Sequence, residues 1–458
     1  MSFWRVFHRL PLALPLLLLI SAAVLGQEKL PVIIVPGLTG SELINKRTNE
    51  VVWFKAPRSK DDDLRLPVTA SILRSHDDLV RGDILRSIKV GIFPRIDVYG
   101  GLIENLIAKA GYHEESWQSP TSKGDSAAIY VFPYDWRQDN VENARLLIRE
   151  ITALKLRLKR PDLKFNVVAH SMGGIITRYA AMYGDADLPT ANRTPKPTWA
   201  GAKHFNKVAL LGTPSEGSVL ALRSLVDGFA IGGININLPF VQNLTKFDLF
   251  TIPSVYQLLP APGTLRATDE NFEPISIDLY DPKEWNRYGW NAINDDGFPA
   301  QFRLAERRAA PEFFASALSR AKRLHEALAA GAGSNGPGLF NIVGAACNDA
   351  LDLIVLRRDK KTDRWITMFK PVSFIKDTGD KVTNDELKEL MLADGDGVVT
   401  RRSLETDTQT RFAGNPVLKP ASSKFVCEEH NKLAANGEVQ DYLMRLFEIV
   451  PASEKAAN

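Results

Sequence analysis

The chain has 458 residues, and 45% of them are hydrophobic, so it can bury a large core in one or two domains and is not expected to be disordered. Lysine and arginine total 57 against 54 aspartate and glutamate, which gives a formal net charge of +3. This near-neutral balance gives no electrostatic reason to expect a nucleic-acid partner.

Residues 1–26 have the pattern of a secretory signal. Arg5 and Arg9 precede an apolar run over 10–25, which ends at Gly26. The run is 16 residues long and contains two prolines, so it is short for a helix that spans a membrane. We expect cleavage after about Gly26 and a mature protein that is secreted or periplasmic. An uncleaved amino-terminal anchor is the alternative.

The next apolar segment, LPVIIVPGLTGSEL at 30–43, is typical of a buried strand that ends in a Pro-Gly turn. The residues from about 44 to 96 follow no regular period and form an irregular insertion. Trp53 and Phe54 within this insertion fit either a buried core or an exposed contact with lipid. The core is favoured because aromatic side chains are more often buried.

Alternating strands and helices follow. An amphipathic helix is predicted over 99–112 and a strand over 128–138, and a second helix ends near Pro161. A strand begins the stretch 164–183, and another begins the segment 207–218. This alternation predicts a mostly parallel sheet with helices on both faces.

The stretch 164–183, KFNVVAHSMGGIITRYAAMY, changes from a strand period to a helix period at Ser171. A strand, a tight turn and a helix are the setting of a nucleophile elbow, in which the serine adopts a strained conformation. The residues two before and two after the serine must then be small, and here they are Ala169 and Gly173. The short motif alone is common by chance, but its flanking strand and helix favour a nucleophile.

Residues 219–338 lack regular periodicity and are too long for an ordinary connection. We interpret them as a cap inserted over the site, with a helix near 311–330 in which Pro311 occupies the first turn. The segment is rich in aromatic residues: Phe229, Phe240, Phe247, Phe250, Tyr256, Trp285, Tyr288, Trp290 and Phe298.

The last part of the chain returns to the sheet. LFNIVGAAC at 339–347 predicts a core strand, and RRDKKTDRW predicts a hairpin. A loop at 391–404 and a terminal helix complete the chain. The predicted organisation is an α/β-hydrolase fold with core segments at 27–218 and 339–458 and the large cap between them.

Cys347 and Cys427 are the two cysteines in the sequence. They form one disulfide in an oxidising compartment or remain two separate buried thiols, and the sequence favours neither. The two cysteines are 80 residues apart, and His430 is the one histidine close to either of them, so a zinc site is not expected.

A serine nucleophile needs a base and an acid, and α/β hydrolases place them in the order serine, acid, histidine. Of the seven histidines, His430 alone follows the final predicted strands, while His170 is assigned to packing. Asp396, between two glycines, is the favoured acid, and Asp394 is its rival. The DGDG run also resembles a calcium loop, but the distal ligands of such a loop are missing.

Two backbone N–H groups are candidates for an oxyanion hole. In α/β hydrolases one comes from the loop after an early strand and the other from the residue after the nucleophile. These positions are Leu38 and Met172. Their side chains play no part in this role.

Several motifs together resemble the lecithin:cholesterol acyltransferase family and its lysosomal phospholipase, plant and bacterial relatives. They are VPGLTGSEL, PYDWR, AHSMGG, LGTPSEGS, PSVYQLLP, and GDGVV followed by the CEEH turn. The resemblance implies a triad of Ser171, Asp396 and His430, with oxyanion-hole amides at Leu38 and Met172. Vertebrate members have a cysteine-closed lid near the amino terminus, and this chain has no cysteine there, so their interfacial contacts and their sterol preference are not implied.

The resemblance implies an enzyme that transfers an acyl group from a phospholipid or other acyl lipid to an alcohol or to water. It also implies peripheral contact with a lipid surface and no metal or cofactor. A carboxylesterase or lipase with water as sole acceptor and a noncatalytic lipid-binding protein remain alternatives. Within PYDWR, Asp135 and Arg137 are favoured as structural residues. The lipid headgroup, the acyl position, the acceptor and the oligomeric state are not indicated.

Overall fold

The computed structural model describes residues 29–55, 63–89, 96–190, 193–229, 244–330, 338–359, 361–406 and 418–449. The predicted signal at 1–26 lies outside the described residues, and secretion therefore stays a prediction. Within the described ranges, no helix has both the length and the apolar character needed to cross a bilayer.

The described strands, in chain order, are β1 (Val32–Val35), β2 (Ser41–Asn45), β3 (Val51–Trp53), β4 (Leu79–Ile84), β5 (Ser87–Ile88), β6 (Ile96–Asp97), β7 (His113–Glu114), β8 (Ala128–Val131), β9 (Phe165–His170), β10 (Phe205–Leu211), β11 (Arg266–Thr268), β12 (Phe340–Ala345), β13 (Asn348–Leu351), β14 (Leu353–Asp359), β15 (Arg364–Met368), β16 (Phe374–Ile375), β17 (Lys381–Val382), β18 (Leu392–Gly395) and β19 (Ser422–Val426).

The described α-helices are α1 (Gly100–Ala110), α2 (Asn140–Arg157), α3 (Met172–Tyr183), α4 (Val219–Asp227), α5 (Lys246–Phe250), α6 (Pro253–Tyr256), α7 (Pro282–Arg287), α8 (Phe298–Gln301), α9 (Leu304–Ala329), α10 (Asn384–Met391), α11 (Arg401–Glu405) and α12 (Gly437–Leu446). Short 3-10 turns lie at Ile72–Arg74, Ala202–His204, Ala292–Asn294 and His430–Lys432.

The central sheet has seven strands in the order β19-β12-β10-β9-β1-β8-β7, and every pair in it is parallel. Its middle strands are buried on both faces. In β1, Ile33 and Val35 pack on the side of α2 and α3, whereas Val32 and Ile34 pack on the side of α1 and α12. The predicted α/β-hydrolase fold, with a parallel sheet between two layers of helices, is confirmed.

The parallel arrangement determines where a site can form. The carboxyl ends of β1, β9, β10 and β19 all lie at one edge of the sheet, because neighbouring strands run in the same direction. The turns that follow these four strands therefore meet at that edge. They carry the predicted oxyanion loop, the elbow, the small-residue turn after β10 and the loop of His430.

The irregular insertion at 44–96 contains a small antiparallel sheet of β3, β2 and β4. Its strands are short and their register is interrupted by bulges, which explains why no period was visible in the sequence. Trp53 is buried, and its indole N–H donates to the Thr39 carbonyl at 2.8 Å. The core interpretation of Trp53 is therefore confirmed.

The long helix of the predicted cap begins earlier than expected. Helix α9 starts at Leu304, and Pro311 lies inside it instead of in its first turn. The N–H of Arg303 donates to the Glu306 carboxylate at 3.0 Å, which caps the helix start. Residues 304–310 are strong helix formers, so the helix continues past Pro311 although the proline removes one backbone hydrogen bond.

The aromatic residues of the predicted cap pack mainly against one another. Phe250 contacts Phe298, Phe313 and Phe314 with ring centroids 5.4 to 6.2 Å apart. These rings belong to the same buried cluster as the side chains between the sheet and helices α2 and α3, and Phe240 lies outside the described residues. Strand β11 of this segment pairs with β14 from the later part of the chain. The division into core and cap stays a prediction.

The segment between β12 and β19 is more regular than predicted. The hairpin around RRDKKTDRW is confirmed as β14 and β15. The expected loop at 391–404 instead contains β18 and α11, and β18 is held by antiparallel pairing with β13. Cys347 and Cys427 form a disulfide with their Cα atoms 5.3 Å apart, which settles the alternative that the sequence left open.

Candidate active site

Ser171 lies at the sharp turn between β9 and α3. Its backbone has φ 53° and ψ −124°, a left-handed conformation that costs a non-glycine residue about 1–3 kcal/mol. A Cβ atom added at Gly173 would lie 2.4 Å from the Pro36 carbonyl oxygen, and one at Gly174 would lie 1.9 Å from Thr213 Oγ1. Both positions therefore require glycine, as the elbow motif predicts for Gly173.

The structure brings the three predicted triad residues together. His430 Nε2 lies 2.9 Å from Ser171 Oγ, and His430 Nδ1 lies 2.7 Å from Asp396 Oδ2. All three side chains are buried. The backbone N–H of His430 also donates to the backbone carbonyl of Asp396 at 2.9 Å. The arrangement is able to move a proton from the serine hydroxyl to the imidazole while a carboxylate orients the ring.

The backbone fixes the orientation of the Asp396 carboxylate. Its Oδ1 accepts hydrogen bonds from the N–H groups of Val398 at 3.0 Å and Val399 at 2.7 Å. Burial raises the pKa of this carboxyl, but the attraction of His430 and the hydrogen bonds outweigh burial, and the pKa lies below its usual value. The group therefore stays ionised at neutral pH, with Oδ2 directed at His430.

The rival acid, Asp394, has a different environment. It is exposed on β18, where it lies opposite Asp349 and interacts electrostatically with Arg401. The two aspartates are two residues apart in the same glycine-rich run, and the sequence favoured Asp396 because a glycine lies on each side of it. The hydrogen bond to His430 is made by Asp396.

The two predicted oxyanion donors lie beside Ser171. The loop after β1 approaches the serine so closely that a Cβ atom at Gly37 would lie 2.8 Å from Ser171 Cβ. Within the part of the chain that the structure describes, the N–H groups of Leu38 and Met172 have no hydrogen-bond acceptor. Met172 is also the first residue of α3, where the helix dipole favours negative charge.

Gly212, after β10, is a contributor that sequence reasoning missed. Its φ is 55°, and an added Cβ would lie 2.9 Å from Asp396 Oδ2 and 3.0 Å from His430 Nδ1. Any side chain there would displace the bond between acid and base. Gly212 belongs to the LGTPSEGS motif, so the motif carried a signal, although nothing in the sequence connected it to Asp396.

His170 does more than pack. It is buried, its Nδ1 lies 2.8 Å from the Tyr99 hydroxyl, and its Nε2 lies 3.0 Å from the His430 carbonyl oxygen. Burial lowers the pKa of this imidazole to about 3, so the ring is neutral at neutral pH. Tyr99 is 71 positions away in the sequence, and no pattern indicated the contact.

The PYDWR motif is structural, as favoured. Arg137 is fully buried and forms ion pairs with Asp77 at 2.6 Å and Asp135 at 2.9 Å. These pairs tie the turn after β8 to the segment before β4. Arg137 is satisfied by these partners and has no role in the proton transfer described above.

Residues 104–284 match the family model of lecithin:cholesterol acyltransferase. The match includes the PYDWR and AHSMGG motifs and confirms the family resemblance over that part of the chain. It supports an enzyme that handles acyl lipids, either as a hydrolase or as an acyltransferase. No curated protein matches the chain.

One solved structure with a similar fold supports the assignment of the fold. The crystal structure of a Tle4–Tli4 complex aligns with a TM-score of 0.53 and 15% identity, over 92% of this chain and 98% of that chain. EstA from Clostridium botulinum gives a TM-score of 0.34 with 11% identity over 94% and 89% of the two chains. Lipase 1 from Pelosinus fermentans gives 0.30 with 13% identity over 92% and 98%. The last two TM-scores are too low to bear on fold or function.

Proposed function

We propose that the protein is a secreted serine acyltransferase and phospholipase that removes a fatty acyl group from a phospholipid and passes it to an alcohol or to water. The observation that carries this proposal is the continuous hydrogen-bonded chain from Ser171 Oγ through His430 to Asp396. The open N–H groups of Leu38 and Met172 beside it supply the second requirement of acyl transfer. The family match supports a lipid ester as the substrate.

In the first step, Ser171 Oγ attacks the ester carbonyl carbon while His430 Nε2 accepts the hydroxyl proton. The carbonyl oxygen becomes an oxyanion and accepts hydrogen bonds from the N–H groups of Leu38 and Met172. The tetrahedral intermediate then collapses. His430 gives its proton to the oxygen of the leaving lysophospholipid, and the acyl group remains bonded to Ser171.

In the second step, an alcohol or a water molecule attacks the acyl-serine carbonyl. His430 Nε2 takes the proton from the attacking oxygen and returns it to Ser171 Oγ as the acyl bond to the serine breaks. Asp396 keeps the other ring proton on Nδ1 throughout, so that Nε2 is free to accept. The product is a new ester or a free fatty acid.

Product analysis separates these outcomes. Phospholipid vesicles with a radiolabelled acyl chain are incubated with the protein and increasing amounts of a long-chain alcohol. We expect labelled fatty acid without alcohol and labelled ester at its expense as the alcohol concentration rises. Fatty acid alone at every alcohol concentration would identify a carboxylesterase or lipase, and no product from any acyl lipid would favour a noncatalytic lipid-binding protein.

The peripheral contact with lipid is assigned within this proposal to the surface around β15 and β16. Ile366, Val372 and Ile375 are 44%, 58% and 64% exposed there, and the exposed Lys370 lies among them. Residues 357–381 contain eight lysines and arginines against four aspartates. Exposed apolar side chains among cations fit an anionic lipid surface.

Replacing both Val372 and Ile375 with glutamate is expected to lower activity on anionic phospholipid vesicles by about 10-fold or more, because two apolar contacts are lost and two negative charges are added. Hydrolysis of a short, soluble ester should stay within twofold of wild type. The matched control is Leu156→Glu on α2, where the leucine is 74% exposed. Equal vesicle activity in the double variant and the control would move the contact elsewhere.

A further inference from the structure

We infer that Tyr99 and His170 are positioning residues that join the oxyanion loop to the backbone of the catalytic base. This inference rests on the proposed function, because it assigns roles relative to Ser171, Leu38 and His430. Neither residue is a member of the triad or one of the two oxyanion donors. Both are buried behind the elbow and act through the groups that they hold.

Three hydrogen bonds form one continuous chain. The Gly37 N–H donates to the Tyr99 hydroxyl oxygen at 2.9 Å. The Tyr99 hydroxyl lies 2.8 Å from His170 Nδ1, and His170 Nε2 lies 3.0 Å from the His430 carbonyl oxygen. Gly37 directly precedes the oxyanion donor Leu38, and His170 directly precedes Ser171. These hydrogen bonds therefore link the loop after β1, the turn before α1, the end of β9 and the loop after β19.

The chemistry of the groups fixes the direction of every bond. The His430 carbonyl can only accept, so His170 Nε2 must carry the ring proton. In a neutral imidazole Nδ1 is then an acceptor, and the Tyr99 hydroxyl must donate to it. The hydroxyl oxygen keeps its lone pairs for the Gly37 N–H. In this arrangement each donor in these three hydrogen bonds has an acceptor.

The hydrogen-bonded residues keep this arrangement near neutral pH. Burial lowers the pKa of His170 to about 3. Burial also raises the pKa of Tyr99 far above its usual value, although the Gly37 N–H opposes this. Both side chains are therefore neutral near pH 7. They hold the backbone segments in position and do not transfer protons. The rings of His170 and His430 also pack with centroids 4.9 Å apart.

The functional consequence concerns distance. Acyl transfer needs the oxyanion donors, the nucleophile and the base held to within about half an ångström. The residues that link these groups are far apart in the sequence. Tyr99 and His170 are separated by 71 residues, and His170 and His430 by 260. A direct hydrogen-bonded link between the loops sets their spacing independently of the rest of each loop.

A double-mutant cycle tests the inference. Tyr99→Phe and His170→Leu are each expected to lower kcat on a soluble ester by about 10- to 100-fold, with KM within twofold of wild type. The double variant should be no slower than the slower single variant, because each change breaks the same chain. The matched control is Tyr112→Phe, which removes a buried hydroxyl bonded to the Leu30 carbonyl and should keep kcat.

A rescue variant separates hydrogen bonding from packing. His170→Gln supplies an amide N–H for the His430 carbonyl and an amide oxygen for the Tyr99 hydroxyl, so it should recover most of the kcat lost in His170→Leu. If His170→Leu does not fold, Tyr99→Phe alone tests the inference. A Tyr99→Phe protein with the same kcat and the same thermal stability as Tyr112→Phe would overturn it.

Two further results would overturn the inference. One is a double variant whose kcat falls by the product of the two single losses, and the other is a His170→Gln protein as slow as His170→Leu. Failure of the proposed function is a separate result. An active Ser171→Ala protein would refute the acyl-serine mechanism, whereas an inactive Ser171→Ala protein beside a fully active Tyr99→Phe protein would refute the positioning role alone.

Discussion

Replacing Ser171 with alanine is expected to lower kcat by about 10⁴- to 10⁶-fold, because no other group at the elbow is able to form the acyl intermediate. The change removes one oxygen atom, and alanine has the same Cβ in the same strained turn, so the fold should be retained. Release of labelled fatty acid and formation of labelled ester from phospholipid vesicles measure the loss. Both products should fall together, since both arise from one acyl-serine intermediate.

Covalent labelling gives an independent check on the nucleophile. A fluorophosphonate probe should label the wild-type protein at Ser171 and should not label Ser171→Ala. Ser224→Ala is the matched control, because Ser224 is a buried serine on α4 whose hydroxyl bonds to the Leu220 carbonyl at 2.7 Å. Full activity in Ser171→Ala, or labelling at a different serine, would contradict the mechanism.

Replacing Asp396 with asparagine is expected to lower kcat by about 10⁴-fold with little change in the fold. The carboxylate accepts the proton of His430 Nδ1, whereas an asparagine that presents its amide N–H favours the tautomer with the proton on Nε2. A protonated Nε2 cannot accept the Ser171 proton. The measurement is kcat on a soluble ester across pH 6 to 9, and the loss should persist at every pH, since the deficit is one of tautomer.

Asp394→Asn is the matched control for this prediction. It makes the same chemical change two residues away, at an exposed position that faces Arg401. Its kcat should stay within about twofold of wild type. A large loss in Asp394→Asn together with a small loss in Asp396→Asn would transfer the role of acid to Asp394.

Local signals in the sequence were sufficient for the elbow. The change of period at Ser171, the small residues at 169 and 173, and the position of His430 after the last strands each reflect a steric or topological requirement. The strands of the central sheet were also visible, because buried parallel strands are continuous apolar runs. These features depend on residues that are neighbours in the chain.

Features that depend on distant contacts were not predictable. The flanking glycines favoured Asp396 over Asp394 as the acid, but the hydrogen bond from Asp396 to His430 depends on residues 34 positions apart. The contact between Tyr99 and His170 joins the turn before α1 to the end of β9, and no local pattern connects these two segments. The start of α9 was misplaced because Pro311 suggested a first turn, while the cap at Arg303 and Glu306 sets the actual start. The contact between Tyr99 and His170 is tertiary, whereas the start of α9 is set by a local cap that the prediction overlooked in favour of Pro311.

The disulfide between Cys347 and Cys427 bears on the stability of the base. Strand β19 is at one edge of the seven-stranded sheet, so it has a neighbour on one side only, and such a strand is the first to fray. His430 is three residues beyond Cys427. The disulfide joins the residue after β19 to the segment after β12. Local opening of β19 is therefore limited next to the segment that carries His430. The bridge thereby supports the segment that carries the base at this edge of the sheet.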